Sequence, residues 1–268
     1  MAEPVLVARQ YGHIAGMWVR ASLAYPASFW MMSAGGFLIT GLDFVGIWLM
    51  FHTIDTLGGF TLPQVALLYG ATGLGIGVAD LLIGSVERIG TMVRTGSLDV
   101  MLTRPVPVLV QVCADGFQLR RVSRILQALV VFGWAAWWVD WTPARSLVAG
   151  QMVVSSSVIF FCLFVLFSCV QFWLGDSSEF ANAFTYGGNT LTQYPLTVFP
   201  KELVVSLTFV LPVAFVNWYP CLFLLGLPDP FGLPDWLQLC SPVAAAFLLG
   251  LTWLAWRSGL RHYTSTGS

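Results

Sequence analysis

The feature that most constrains this chain of 268 residues is a series of long apolar stretches with few charges. A helix needs roughly 20 mostly apolar residues to cross about 30 Å of hydrocarbon. Five stretches reach or approach that length: 27–51, 62–84, 123–142, 147–174 and 237–257. Only 9% of the residues are charged and the mean hydropathy is +0.78, whereas a soluble globular domain is about 25% charged. We therefore expect an all-α membrane protein.

Two further stretches compete for one more crossing. Residues 203–225 are strongly apolar but are interrupted by Pro212 and Pro220, and residues 178–197 are long enough but rich in Asn, Thr and Gln. Either choice gives six transmembrane helices, which places both termini on the same side of the membrane.

Arginine placement predicts which side that is, because short cytoplasmic flanks are enriched in Arg and Lys. One side would contain both termini and the 85–122 region, and the other would contain Arg145 and Lys201. The first side collects Arg9, Arg20, Arg88, Arg94, Arg104, Arg120, Arg121, Arg124, Arg257 and Arg261. Both termini and the 85–122 region are therefore predicted to be cytoplasmic.

Residues 1–26 have the pattern of a helix that lies in the membrane interface. Their larger apolar side chains recur with helical spacing, at Val7, Tyr11, Ile14 and Trp18, as in amphipathic interfacial helices. The alternative is a plain juxtamembrane segment.

The stretch "SVERIGTMVRTGSLDVMLTR", residues 85–104, predicts a short helix and a turn. Val86, Ile89, Met92 and Val93 share one face, and Gly96 and Pro105 supply stops. Exposed charges beside a small apolar ridge suit docking in a groove of a soluble protein. The alternative is an ordinary solvated loop.

Two features inside the apolar stretches have structural explanations. Gly70, Gly73 and Gly77 lie at spacings that let helices approach closely. An intramembrane carboxylate is a functional candidate by default, but Asp80 lies near a cytoplasmic end, where water or Arg88 is in reach, and Asp43 is assigned no role.

Several classes of function lack the residues that they need. With Lys201 as the single lysine, a G-x-x-x-x-G-K-[ST] nucleotide loop is impossible. The five cysteines have no C-x-x-C spacing and are predicted to be buried thiols. The three histidines have no ligand spacing, so no metal site is predicted.

Three segments in order carry a resemblance to a known family: "TGSLDVMLTRPVP", "FQLRRVSRILQALVV" and "QYPLTVFPKELVVSLTFVLPVAFVNWYPCLFLLG". They resemble the six-span permeases of bacterial ABC exporters of the ABC-2 class. The resemblance implies that loop 85–106 carries a coupling helix that contacts an ATP-binding subunit. The implied contact or shaping residues are Glu87, Arg88, Arg94, Gly96, Leu98, Asp99, Leu102 and Arg104.

The same resemblance makes 178–197 the fifth span and about 199–225 a pair of outer re-entrant half-helices. The permease domain would be 27–258, followed by a cytoplasmic tail, 259–268. If 178–197 crosses, its polar stripe needs a polar or watery neighbour, which suggests the lining of an export path. The stripe consists of Asn182, Tyr186, Asn189 and Gln193. The alternative is an amphipathic helix on the cytoplasmic surface.

The resemblance implies a permease subunit in the bacterial inner membrane that is not itself an enzyme. ATP and Mg would be bound by two copies of a partner subunit, and a second permease, identical or paralogous, would complete the path. An amphipathic, lipid-like cargo is expected. The rival functions are an ATP-independent carrier or channel and a membrane-embedded enzyme. The first should show inverted repeats or buried charge networks, and the second needs clustered acidic, His or Cys residues.

Overall fold

A computed structural model describes residues 4–175 and 178–263. Apart from one isolated bridge between Leu57 and Phe60, the regular structure of these residues is helical, so the predicted all-α class is confirmed. The longer helices are α1 (Pro4–Leu23), α2 (Pro26–Met50), α3 (Leu62–Ile83), α7 (Val122–Ala136), α8 (Pro143–Cys169), α10 (Ser178–Thr192) and α13 (Ser241–His262). The shorter ones are α4 (Ile89–Arg94), α5 (Ser97–Leu102), α6 (Val108–Ala114), α9 (Gln171–Leu174), α11 (Lys201–Phe209) and α12 (Trp218–Leu225).

Helices α1 and α2 meet at an elbow at Ala24 and Tyr25. Pro26 opens α2, and a proline both lacks the amide hydrogen of a helix interior and disfavours helical geometry at the residue before it. Helix α1 packs on α6, and the Tyr11 hydroxyl donates to the Leu82 carbonyl at 3.2 Å. Residue 26, the predicted end of the N-terminal helix, is the first residue of α2.

Within residues 4–175 and 178–263, four helices are long and apolar enough to cross a membrane: α2, α3, α8 continued through α9, and α13. Helices α7 and α10 have 15 residues each, which at 1.5 Å per residue span only about 22 Å. Helix α7 ends at Ala136, six residues before the predicted end of the third span, and turns at Trp137, Trp138 and Val139 continue it.

Helix α3 is the centre of the bundle and packs between α7 and α8. An added Cβ on Gly70 would lie 2.7 Å from the Phe132 backbone, and one on Gly73 would lie 2.8 Å from the Ala128 Cβ. The small residues therefore let α7 approach α3 closely, as the sequence predicts.

Helix α11 and residues 213–225 form a bent pair with an angle of 78° between its arms. Before the pair, the Thr197 hydroxyl donates to the Gly58 carbonyl at 2.8 Å in the loop that joins α2 to α3. After it, Gly226 lies against the Arg145 side chain at the start of α8. The pair therefore begins and ends at the same end of the bundle.

Near its start, the second arm of this pair contacts the middle of α3. Asn217, which is buried, donates from Nδ2 to the Thr72 hydroxyl at 2.8 Å, to the Leu68 carbonyl at 3.0 Å and to the Thr192 carbonyl at 2.5 Å. One amide thus joins the bent pair to α3 and to the end of α10.

A matched pair of substitutions tests the close contact between α3 and α7. Gly70→Ala places a methyl group against the Phe132 backbone, so we expect overpacking to cost about 1–3 kcal/mol. Gly133→Ala, where nothing lies within 4 Å of the added Cβ, should be neutral or stabilising because alanine favours helix. Thermal unfolding of the detergent-purified variants distinguishes them, and equal midpoints would contradict the close approach.

Candidate functional site

Residues 84–116 form a compact lobe at the end of α3 that is remote from the bent pair; we call it the cytoplasmic-side lobe after its predicted location. Ser85 closes its base, because its amide donates to the Val112 carbonyl at 3.2 Å and its hydroxyl to the Asp115 carbonyl at 3.0 Å. Gly84 has φ +52, and a Cβ there would collide with the Cys113 carbonyl. The two ends of the lobe are thus fixed side by side.

Burial of apolar side chains organises the helices of the lobe. Val86, Ile89 and Leu98 are fully buried and Met92 nearly so, so the predicted apolar face exists but packs inward. The expectation of an exposed ridge is wrong for Val86, Ile89 and Met92, and Val93 is half-buried, because residues 86–94 pack on α8 and α9. Gly96, with φ +70, reverses the chain between α4 and α5.

Gln171 joins the lobe to α9, which continues the long helix α8. This side chain, which is 1% exposed, accepts a hydrogen bond from the Gly90 amide at 2.9 Å and donates to the Glu87 carbonyl at 3.0 Å. Its amide therefore satisfies a backbone donor and a backbone acceptor of the lobe at once. Nothing in the sequence singles out Gln171, because its partners lie more than 80 positions earlier.

Glu87 makes a second link, to α10. The Tyr186 hydroxyl donates to its carboxylate at 3.3 Å. Burial raises the pKa of Glu87, nearby Asp80 raises it further, and Arg121 opposes the shift. The structure thus brings together a residue of the predicted ATPase-contacting set and a residue of the predicted polar stripe.

The remaining lobe residues of the predicted set divide by exposure. Arg88, Arg94, Leu102 and Arg104 are exposed, Gly96 is half-buried and Leu98 is buried. Asp99 accepts a hydrogen bond at 2.8 Å from the hydroxyl of Tyr263, just after α13. The exposed members can touch a partner, whereas Leu98 and Asp99 shape the lobe from within.

The polar stripe of α10 is half-buried along its length, at Asn182, Tyr186, Asn189 and Gln193. The Oδ1 atoms of Asn182 and Asn189 are buried and have no hydrogen-bond partner among residues 4–175 and 178–263. Unpaired acceptors of this kind need water or a further polar group. The stripe therefore carries two acceptors that water or a further polar group would have to satisfy.

Asp80 has partners that differ from those expected. Its carboxylate pairs with Arg121 at 3.0 Å and with Arg124 at 3.3 Å, and Arg121 also donates to its backbone carbonyl. The predicted contact with Arg88 is replaced by a hydrogen bond from Arg88 to the Ser85 hydroxyl at 3.4 Å. The ion pairs of Asp80 with Arg121 and Arg124 join the end of α3 that is next to the lobe to the start of α7.

The described residues were compared with the side-chain groups that metal sites and reactive cysteines need. Among the described ranges, no group of three or more His, Cys, Asp or Glu side chains is placed to hold a metal ion. Cys113, Cys162, Cys169 and Cys221 are buried and Cys240 is half-buried, which agrees with the interpretation of the cysteines as small apolar side chains.

Comparison with models of protein families identifies a family for most of the chain. The model of the family described as "ABC-2 family transporter protein" matches residues 37–267. No curated protein and no solved structure matches the chain.

The two hydrogen bonds of the Gln171 side chain lead to a prediction about local stability. Gln171→Leu should leave the Gly90 amide and the Glu87 carbonyl unpaired, at a cost of about 1–3 kcal/mol, and should accelerate hydrogen exchange in α4. Gln151→Leu is the control on the same helix, because Gln151 donates to the Leu239 carbonyl near the other end of α8. Unchanged exchange at Gly90 in the Gln171 variant would refute the link.

Proposed function

The chain belongs to the ABC-2 family of transporter proteins, and from that premise we propose that it is the permease half of an ATP-driven exporter that moves an amphipathic, lipid-like substrate out of the cytoplasm or the inner leaflet. As a member of this family it is a membrane component that works with an ABC ATP-binding subunit. The proposal adds the direction of transport, the cargo and the residues that transmit the work.

One observation carries the mechanism: Gln171 bonds the backbone of the lobe at Glu87 and Gly90 to α9, which continues α8. Motion imposed on the lobe by a docked subunit would pass directly into a long helix, because the joining side chain is buried and both of its polar ends are used. The Tyr186–Glu87 bond adds a parallel connection to α10 and its polar stripe. A stiff connection of this kind suits the transmission of domain closure.

The exposed lobe residues Arg88, Arg94, Leu102 and Arg104 are proposed to contact the ATP-binding subunit. Gly96, Leu98, Asp99 and Glu87 hold the lobe in the shape that the contact needs. Two copies of that subunit would bind ATP and Mg, since the sequence, with its single lysine, lacks a nucleotide loop.

A second permease, identical or paralogous, is proposed to cover α2. Almost none of α2 is buried within the chain, and Asp43 lies exposed in its middle. A carboxylate facing hydrocarbon is costly, so this surface is better matched to protein or to a watery path than to lipid. The unpaired oxygens of Asn182 and Asn189 support a polar path beside the same partner.

We propose six crossings with both termini cytoplasmic in the bacterial inner membrane, with α10 as the fifth and α11–α12 as outer re-entrant half-helices. Support comes from the contacts of Thr197 with Gly58 and of Gly226 with Arg145, which place both ends of the bent pair together. Support for α10 as a crossing comes from its bond to Glu87 of the lobe through Tyr186, in the middle of the helix, and from its bond to Asn217 through Thr192, at its end.

Substitution of exposed lobe residues tests the docking role. Combining Leu102→Asp with Arg104→Ala should lower copurification of the cognate ATP-binding subunit at least tenfold, about 1.4 kcal/mol, while membrane insertion stays normal. Thr103→Ala is the control, because Thr103 lies between the two and makes only a local bond to Val100. Unaltered copurification together with unaltered transport-coupled ATP hydrolysis would refute the docking role.

Cysteine labelling tests the crossing pattern. In a Cys240→Ala background, Lys201→Cys and Thr56→Cys, both at exposed positions, should react with a membrane-impermeant maleimide on intact spheroplasts. Thr103→Cys should react only after permeabilisation. If Lys201→Cys behaves like Thr103→Cys, residues 203–225 form the fifth crossing instead.

A further inference from the structure

Two adjoining cavities lie between the α1–α2 elbow and residues 116–124. One, of about 440 Å³, is lined largely by apolar groups that include Trp18, Phe29 and Phe117. The other, of about 390 Å³, is lined by Arg120, Arg121 and Arg124. They share Met32, Gln118 and Arg120 in their walls, so together they form one bipartite cleft.

The arginine cavity has an excess of positive charge. Asp80 is the acidic residue in its wall, and both of its carboxylate oxygens are already paired, with Arg121 and Arg124. Three guanidinium groups against one carboxylate leave two positive charges in excess. An anion placed among them would gain charge-assisted hydrogen bonds, which arginine forms well with phosphate.

Arg120 is the group best placed to receive such an anion. It is exposed, and its partners within the described chain are neutral: Nε and Nη2 donate to the Gln118 oxygen at 3.0 and 2.8 Å, and Nη1 contacts the Met32 sulfur at 3.8 Å. Its position in both walls puts the free charge at the junction of the two cavities. Arg88 adds a further positive charge in the wall of the apolar cavity.

The apolar cavity supplies the second half of the site. Trp18 and Tyr25 are exposed at its edge, and Met32 connects it to α2, whose surface is almost entirely uncovered. A hydrocarbon chain can therefore enter this cavity past Trp18 and Tyr25 while a charged head bonded to it lies at Arg120. An anion without an apolar part, such as inorganic phosphate, would leave the apolar half of the cleft unfilled.

We propose that this cleft binds one amphipathic molecule with a phosphate-bearing anionic head and a hydrocarbon chain, as the loading site for cargo of that class. The cargo role rests on the proposed exporter function, whereas binding of the molecule does not. Tyr186 lies in the wall of the arginine cavity and donates to Glu87 of the lobe, so an occupied head site adjoins the connection through which the lobe would move α10.

Binding is tested by native mass spectrometry of the purified full chain in detergent. The protein is incubated with equal amounts of dioleoyl phosphatidylglycerol and dioleoyl phosphatidylcholine, which have the same chains but differ in head charge. We expect the wild-type chain to retain the anionic lipid at least fivefold over the zwitterionic one, and Arg120→Gln to remove most of that preference. Equal retention of the two lipids by the wild-type chain, or an unchanged preference in Arg120→Gln, would overturn the site.

Arg257→Gln is the matched control. Arg257 is an exposed arginine of α13 that lies over the Trp253 ring, 5.3 Å from its centroid, and it lines neither cavity. Its loss should leave the lipid preference intact, and an equal drop in both arginine variants would overturn the site in favour of general surface charge.

Two further experiments distinguish the contribution of the anionic head from that of the hydrocarbon chain, and lipid binding from the cargo role. Excess inorganic phosphate should displace the bound lipid poorly, because it cannot fill the apolar cavity, and efficient displacement would overturn the bipartite site. In the complex with the ATP-binding subunit, phosphatidylglycerol should stimulate ATP hydrolysis in the wild type and severalfold less in Arg120→Gln. Arg120-dependent binding without such stimulation would identify a resident lipid and overturn the cargo role, whereas failure of the subunit to assemble with the wild-type chain refutes the exporter function alone.

Discussion

The buried amide of Asn217 shows the constraint that organises this molecule. In a chain built largely of apolar side chains, every polar group inside must find its partner within the protein. One side chain of the bent pair meets acceptors on α3 and at the end of α10. At the other end of the bundle, Gln171 and Ser85 do the same for the lobe, and Asp80 joins α3 to the start of α7. The apolar contacts set which helices touch, and these few polar groups set how they are aligned.

Local patterns in the sequence predict the parts of the fold that depend on local chemistry. The change from an amphipathic to an apolar pattern after residue 26 predicts the boundary between α1 and α2, helical spacing of small residues predicts a close helix approach to α3, and the apolar face of residues 86–93 predicts the short helices of the lobe. These features involve residues within a turn or two of one another, so their physical cause can be found in the sequence itself.

Partners that are distant in sequence could not be predicted in the same way. Asp80 pairs with arginines more than 40 positions away, and Gln171 bonds a loop more than 80 positions away. The direction in which the apolar face of the lobe points is of the same kind, because burial and exposure of an amphipathic helix give identical sequence patterns. The polar stripe was visible from its spacing, but its link to Glu87 through Tyr186 depends on the packing of α10.

The closed base of the lobe has a consequence for how permeases of this architecture diversify. Because Ser85 bonds both Val112 and Asp115, the chain leaves and re-enters the bundle at nearly one point. The residues between them form a single inserted segment. Replacement of this segment by that of a homologous chain would keep the path of the backbone, but the new segment would also have to match Gln171 and Tyr186, which bond Gly90 and Glu87. Variation of the lobe is therefore tied to variation of α9 and α10, so its outer surface can change more freely than the face that it turns to the bundle.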